Sequence, residues 1–136
     1  FLGSILATKL SINEKMPVCF NRKEAKDHGE GGSLIGAKPK GKILIVDDVI
    51  SSGLAIKESI SLLGPFDVSI EGALVTLDRQ ERGDTELMAS EELEQSGINV
   101  FSIVSLDDLL EADDLINDDN IRRIENYRNR YRGENV

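Results

Sequence analysis

The apolar residues of this chain fall into runs that alternate between two spacings. Ile43-Leu-Ile-Val46 is continuous and apolar, and two adjacent acids, Asp47 and Asp48, follow it. Such a run predicts a strand buried on both faces, which favours a parallel sheet. Downstream, Leu54, Ala55, Ile56, Ile60 and Leu63 recur at helical spacing until Gly64-Pro65 stops the helix. Val68 to Leu77 predicts a second strand, ending in Asp78-Arg79. Glu86 to Gln95 predicts a helix closed by Gly97, and Ile98 to Val104 a third strand. Ser105 followed by Asp107-Asp108 marks a helix start with acids in its first turn.

The flanking regions read less regularly. Leu2, Ile5, Leu6, Lys9, Leu10 and Ile12 suit an amphipathic helix over Phe1 to Ile12, and Pro17 to Asn21 a short strand. Residues 22–41 are polar, rich in glycine and without periodicity, the character of a functional or flexible connection. Residues 106–132 predict C-terminal helices whose acids come first and whose arginines come last, as the helix dipole favours.

Strands alternating with helices predict an α/β fold with a mainly parallel central sheet flanked by helices. The 136 residues suffice for a single domain with a real core. The net charge of −9 argues against nucleic-acid binding as the main task, yet leaves room for a small anionic ligand. With Cys19 as its one cysteine the chain forms no internal disulfide, which suits a reducing cytoplasm. No apolar run approaches the ~18 residues of a membrane-spanning helix, and no signal-peptide pattern is evident. The chain opens at Phe1 on the middle of a pattern, so a missing N-terminal part is expected.

Two stretches carry chemistry. In the first, Asp47 and Asp48 leave the buried strand and Val49-Ile50-Ser51-Ser52-Gly53 leads into the helix. A strand-to-helix turn offers free backbone N–H groups and the positive end of a helix dipole to a phosphate. The hydroxyls of Ser51 and Ser52 add donors, and Gly53 permits close approach. Paired acids beside an anion cradle suit a ligand with hydroxyls, phosphate and a divalent metal. The plainer alternative is that these polar residues only cap the helix. No lysine follows the glycine as in a Walker A loop, and no G-x-G-x-x-G is present.

In the second stretch, Phe20 to Gly32, the bases Arg22, Lys23 and Lys26 join the only histidine, His28. Glu24, Asp27 and Glu30 leave the segment formally neutral, so the placement of each base matters more than net charge. Gly29, Gly31 and Gly32 give it the flexibility that a closing lid needs. A solvated charged loop is the ordinary alternative.

Together these stretches resemble one family. Ile43 to Gly53 is similar to the ribose-phosphate signature of type I phosphoribosyltransferases. Arg22 to Gly32 resembles the catalytic loop of orotate phosphoribosyltransferases, and Leu77-Asp-Arg-Gln-Glu81 a third block of theirs. The resemblance implies the type I phosphoribosyltransferase fold without its N-terminal hood. It also implies transfer of a phosphoribosyl group from 5-phosphoribosyl 1-pyrophosphate to orotate, in cytoplasmic pyrimidine synthesis. Asp47 and Asp48 would engage the ribose hydroxyls, directly or through metal-bound water. Val49, Ile50, Ser51, Ser52, Gly53, Leu54 and Ala55 would wrap the 5′-phosphate, and Arg79 would hold orotate. Arg22, Lys23, Lys26 and His28 would approach the pyrophosphate, with Mg²⁺ beside it. Lys26, His28, Asp47 and Asp48 would be catalytic, and Lys26 would reach the partner's site in a homodimer. Another base, or a non-catalytic ligand sensor on this fold, are the rival readings.

The chain departs from the family pattern in two places. The family places Thr after the glycine of the phosphate turn, and this chain has Leu54. Without the hood, the 136 residues alone are expected to be weakly active or inactive.

Overall fold

The structure is a computed structural model that describes residues 2–21, 34–112 and 115–135. Its order is α1 (Leu2–Glu14), β1 (Cys19–Asn21), β2 (Leu34–Gly36), β3 (Gly41–Ile50), α2 (Leu54–Leu63), β4 (Val68–Asp78), α3 (Ala89–Gln95), β5 (Val100–Ser105), α4 (Leu106–Glu111) and α5 (Asp118–Tyr131). β3, β4 and β5 form a parallel sheet in that order, as the alternating pattern predicts, while β1 and β2 pair antiparallel.

The core follows from the apolar runs. Ile45 and Ile50 of β3 and Ala73 and Val75 of β4 pack with Ile56 and Leu63 of α2 and Ala89 and Leu93 of α3. Burying each large aliphatic side chain contributes about 1.5–3 kcal/mol. Ile56, Ile60 and Leu63 lie one helical turn apart and face the sheet. Leu54 and Ala55, counted above in the same stripe, fall on the other side of α2, and Leu54 is 61% exposed.

Several sequence expectations need correction. The stripe read in α1 is not a buried face, because Leu2, Ile5 and Ile12 are exposed. The helix docks on β3 through Gly3, where a Cβ would lie 2.8 Å from backbone atoms of Asp47 and Asp48. The 22–41 connection contains β2, whose three residues are too few to show periodicity and find their partners across β1. Glu86 and Leu87 are not helical. Leu87 and Met88 belong to an extended segment stitched to Glu134 by a bridge and by Met88 N–H donating to the Glu134 carbonyl at 2.9 Å. The tail arginines are not merely surface charges. Arg132 donates to Asp107 at 2.7 Å, and Arg128 Nε lies 2.8 Å from the same oxygen without hydrogen-bond alignment. The Ser105 start of α4 is a complete capping box with Asp108, and α5 runs from Asp118 and Asp119 to Arg128 and Arg130, as expected. Among the described residues no helix is long and apolar enough to cross a membrane.

An ion cluster joins α2, α3 and the segment that leads from β4 into α3. Lys57 on α2 contacts Glu92 on α3 at 2.9 Å and Asp84 at 2.7 Å. Glu92 also accepts from the Thr85 backbone and hydroxyl, both at 2.6 Å, and from the Asp84 backbone at 3.1 Å. The Lys57 ammonium and the Thr85 hydroxyl hold the Glu92 carboxyl down at about 2. A depressed pKa stabilises the fold fully above the unfolded value of 4.5, and that contribution is lost as pH falls toward 2. Glu92→Gln should therefore cost about 1–3 kcal/mol at neutral pH. Thermal denaturation at pH 7 and at pH 3 checks this: the gap between the two proteins must narrow in acid.

Candidate functional site

β3 does not end at the acids. It continues beside β4 to Ile50, with Asp47 opposite Val75, Val49 opposite Leu77 and Ile50 opposite Asp78. The turn expected from Val49 to Ala55 is therefore shorter: Val49 and Ile50 are still strand, Ser51 to Gly53 make the turn, and Leu54 and Ala55 open α2. The reason is tertiary. The long β4 keeps supplying hydrogen-bond partners beyond the point where the polar residues of β3 begin.

That extension matters for the carboxylates. Asp47 and Asp48 therefore stand within β3 and not beyond its end. Both are half-buried. Asp47 Oδ1 accepts from the Asp48 backbone N–H at 2.8 Å. Burial pushes the Asp47 carboxyl above the ordinary aspartate range, opposed by that backbone hydrogen bond. Gly3 of α1 presses on the Asp47–Asp48 peptide from one side. The two acids also line a cleft of about 520 Å³ between α1, the β1–β2 pair and β3, which neither Ser51–Gly53 nor Arg79 borders.

The turn itself is built for close approach. Gly53 has φ 77°, a left-handed conformation that disfavours any other residue. A Cβ there would also meet the Ala89 side chain at 3.3 Å. The start of α2 carries no side-chain cap and no acid in its first turn. α4 and α5, by contrast, are capped by Ser105 and Asn117. So Ser51 and Ser52 do not serve as caps here, and the positive end of α2 is left for another acceptor. Leu54 puts an exposed isobutyl group at its edge.

Arg79 follows the exit of β4. Its backbone N–H donates to the Ile50 carbonyl at 3.1 Å, which fixes it beside the turn. Its Nε lies 2.8 Å from Glu81, its Nη2 donates to the Tyr127 hydroxyl, and its guanidinium carbon stands 4.9 Å over the Tyr127 ring. The Tyr127 hydroxyl in turn donates to Glu81. The next residue, Gln80, has φ 54°, and its amide grips Asp107 through two hydrogen bonds of 3.0 and 3.1 Å.

The structure thus brings Asp47, Asp48, the Ser51–Gly53 turn and Arg79 to the carboxyl ends of two neighbouring parallel strands, the usual ligand position in an open α/β sheet. Arg22, Lys23, Lys26 and His28 lie outside the described residues. Sequence reasoning missed Tyr127 and gave no role to Glu81. The one faint signal was Tyr127 and Tyr131 spaced one helical turn apart, with rings now 4.7 Å apart. Among the described residues no group of three or more acidic, histidine or cysteine side chains could hold a metal ion by itself. Two carboxylates suit a Mg²⁺ ion that keeps water and takes its remaining oxygens from a substrate.

The family model described as a phosphoribosyl transferase domain matches residues 1–105. Orotate phosphoribosyltransferase of Photorhabdus laumondii is 52% identical over 96 residues, covering 70% of this chain and 45% of that protein. The enzyme of the same name from Laribacter hongkongensis is 47% identical over 139 aligned positions, covering 96% of this chain and 65% of that protein. Among solved structures, orotate phosphoribosyltransferase of Francisella tularensis superposes with a TM-score of 0.66 at 26% identity, over 96% of this chain and 64% of that one. The chain spans roughly half to two thirds of the length of these proteins. With the strand–acid–acid–turn of β3 in place and the family model covering residues 1–105, the chain belongs to the phosphoribosyltransferase family.

Proposed function

We propose that the protein carrying this chain transfers the phosphoribosyl group of 5-phosphoribosyl 1-pyrophosphate to orotate, giving orotidine 5′-monophosphate and pyrophosphate, in pyrimidine synthesis. The observation that carries this reading is the uncapped α2 N-terminus behind Ser51–Gly53, set beside Asp47 and Asp48, in a chain about half identical to proteins named orotate phosphoribosyltransferase. A ring nitrogen of orotate attacks the anomeric carbon as the bond to pyrophosphate breaks, and the proton of that N–H is given up to the departing pyrophosphate. Positive charge gathers on the ribose ring and negative charge on the leaving group. Carboxylates beneath the ribose stabilise the first. By resemblance, Arg22, Lys23, Lys26 and His28 serve the second, and no covalent nucleophile is needed.

The backbone N–H groups at the start of α2 and the Ser51 and Ser52 hydroxyls receive the 5′-phosphate. Asp47 and Asp48 hold the ribose hydroxyls, and Arg79 meets the carboxylate of the base. Mg²⁺, when bound with the pyrophosphate, supplies charge neutralisation there. A cytoplasmic homodimer in which Lys26 serves the neighbouring site belongs to the same reading.

The reaction is tested by following orotate consumption with 5-phosphoribosyl 1-pyrophosphate and Mg²⁺, against uracil and hypoxanthine. Orotate alone should be consumed, and Lys26→Ala should lower turnover by roughly 10²-fold. Consumption of uracil or hypoxanthine in its place would overturn the assignment.

Leu54 offers a second measurement. Leu54→Thr adds a hydroxyl at the positive end of α2, so the KM for 5-phosphoribosyl 1-pyrophosphate should fall by about 2–5-fold. An unchanged or raised KM would show that the hydroxyl has no place in this cradle.

Asp47 separates stability from function. Its pKa is raised by burial, so the associated stability is complete below 3.8 and is lost as pH rises through the folded value. At neutral pH the ionised carboxylate is therefore a net cost to the fold. Asp47→Asn keeps an acceptor for the Asp48 N–H, and its Tm at pH 7 should be about 1–4 °C higher. Turnover should nevertheless drop by roughly 10²-fold, because the charge beneath the ribose is gone. A variant that is both less stable and fully active would contradict this account.

A further inference from the structure

Arg79 is held by more than its own strand. A guanidinium carries five N–H donors in a rigid plane. Glu81 stands at Nε and the Tyr127 hydroxyl oxygen accepts a hydrogen bond from Nη2, so together they occupy the Nε–Nη2 edge. The Tyr127 ring lies against one face of the plane. What the two residues leave uncovered is the Nη1–Nη2 end, whose paired N–H groups match the two oxygens of a carboxylate.

Tyr127 itself is anchored to the segment it holds. It lies on α5, 48 residues from Arg79. Around it, the Arg82 N–H donates to the Tyr131 carbonyl at 2.9 Å and the Gly133 N–H to the Gln80 carbonyl at 3.1 Å. Asp107 ties Arg132 to the Gln80 side chain. A Cβ on Gly133 would meet the Met88 backbone at 2.3 Å, so the tail is closely fitted to the 79–88 segment. The aromatic ring, the acid and the tail converge on one arginine.

We infer that Tyr127 and Glu81 are positioning residues that lock the Arg79 guanidinium with its Nη1–Nη2 end presented to the carboxylate of the acceptor base, so that the C-terminal helix sets the preference for a base bearing a carboxylate. This rests on the reading of Arg79 given under Proposed function. Tyr127→Phe keeps the ring and its packing and removes only the hydroxyl that orients Nη2. Glu81→Gln keeps the shape and removes the charge at Nε.

The test uses the whole protein that carries this chain and steady-state kinetics with each substrate varied in turn. Tyr127→Phe and Glu81→Gln should each raise the KM for orotate by about tenfold. The KM for 5-phosphoribosyl 1-pyrophosphate should stay within about twofold and the Tm within about 3 °C. In an Arg79→Ala background, Tyr127→Phe should add nothing further to the orotate KM, because the group it orients is gone. If Arg79→Ala raises the orotate KM while Tyr127→Phe and Glu81→Gln leave it unchanged, the positioning role is refuted and the base contact stands. If Arg79→Ala itself leaves the orotate KM unchanged, the base contact fails first. Equal rises in both KM values, or a full additional rise in the Arg79→Ala background, would show a general structural effect and also overturn the inference.

Discussion

The parallel pairing of β3 with β4 is the constraint on which the rest of the site depends. It runs through Val49–Leu77 and Ile50–Asp78 and is extended by the Arg79 N–H to the Ile50 carbonyl. That ladder fixes three things at once. It keeps Asp47 and Asp48 within the strand, shortens the turn to Ser51–Gly53, and sets Arg79 beside that turn. Parallel strands put their carboxyl ends at one edge, so the Ser51–Gly53 turn after β3 and Arg79 after β4 lie side by side.

The ladder also sets the energetics. Extending β3 keeps Asp47 half-buried next to Val75, where ionisation is penalised. A fold optimised for stability alone would not place an acid there. The raised carboxyl is the kind of local cost found where charge is needed for chemistry. Stability comes from elsewhere, from the aliphatic core of β3, β4, α2 and α3 and from the Lys57–Glu92–Thr85 cluster, whose carboxyl is pulled the other way. Gly53 and Gly3 let the backbone come close where side chains would obstruct, at the turn and at the Asp47–Asp48 peptide.

Sheet and tail are joined by charge rather than by apolar burial. α5 has no buried residue, yet Arg128, Arg132 and Tyr127 bring it onto Asp107, Gln80, Arg79 and Glu81. Such contacts are directional, and together they fasten the tail to α4 and to the 79–81 segment.

Much of this was legible in the residues. The run Ile43–Val46, the stripe of Ile56, Ile60 and Leu63, the Gly64-Pro65 stop and the Ser105 cap gave the α/β alternation, because periodicity and capping are local signals. Asp47, Asp48 and the Ser51–Gly53 turn were legible because their chemistry is adjacent in sequence. What the sequence could not supply depended on partners far along the chain. The length of β3 was set by β4, the exposure of Leu54 by where α2 meets the sheet, and β2 by its pairing with β1. The α1 stripe failed because a helix can dock through one glycine instead of an apolar face. Tyr127 meets Arg79 and Glu81 only because α5 folds back across some fifty residues, a closure that no local spacing encodes. The sequence by itself determined the elements and the paired acids, and tertiary structure alone decided which groups stand around them, because strand register and helix docking are set by contacts between residues remote in the chain.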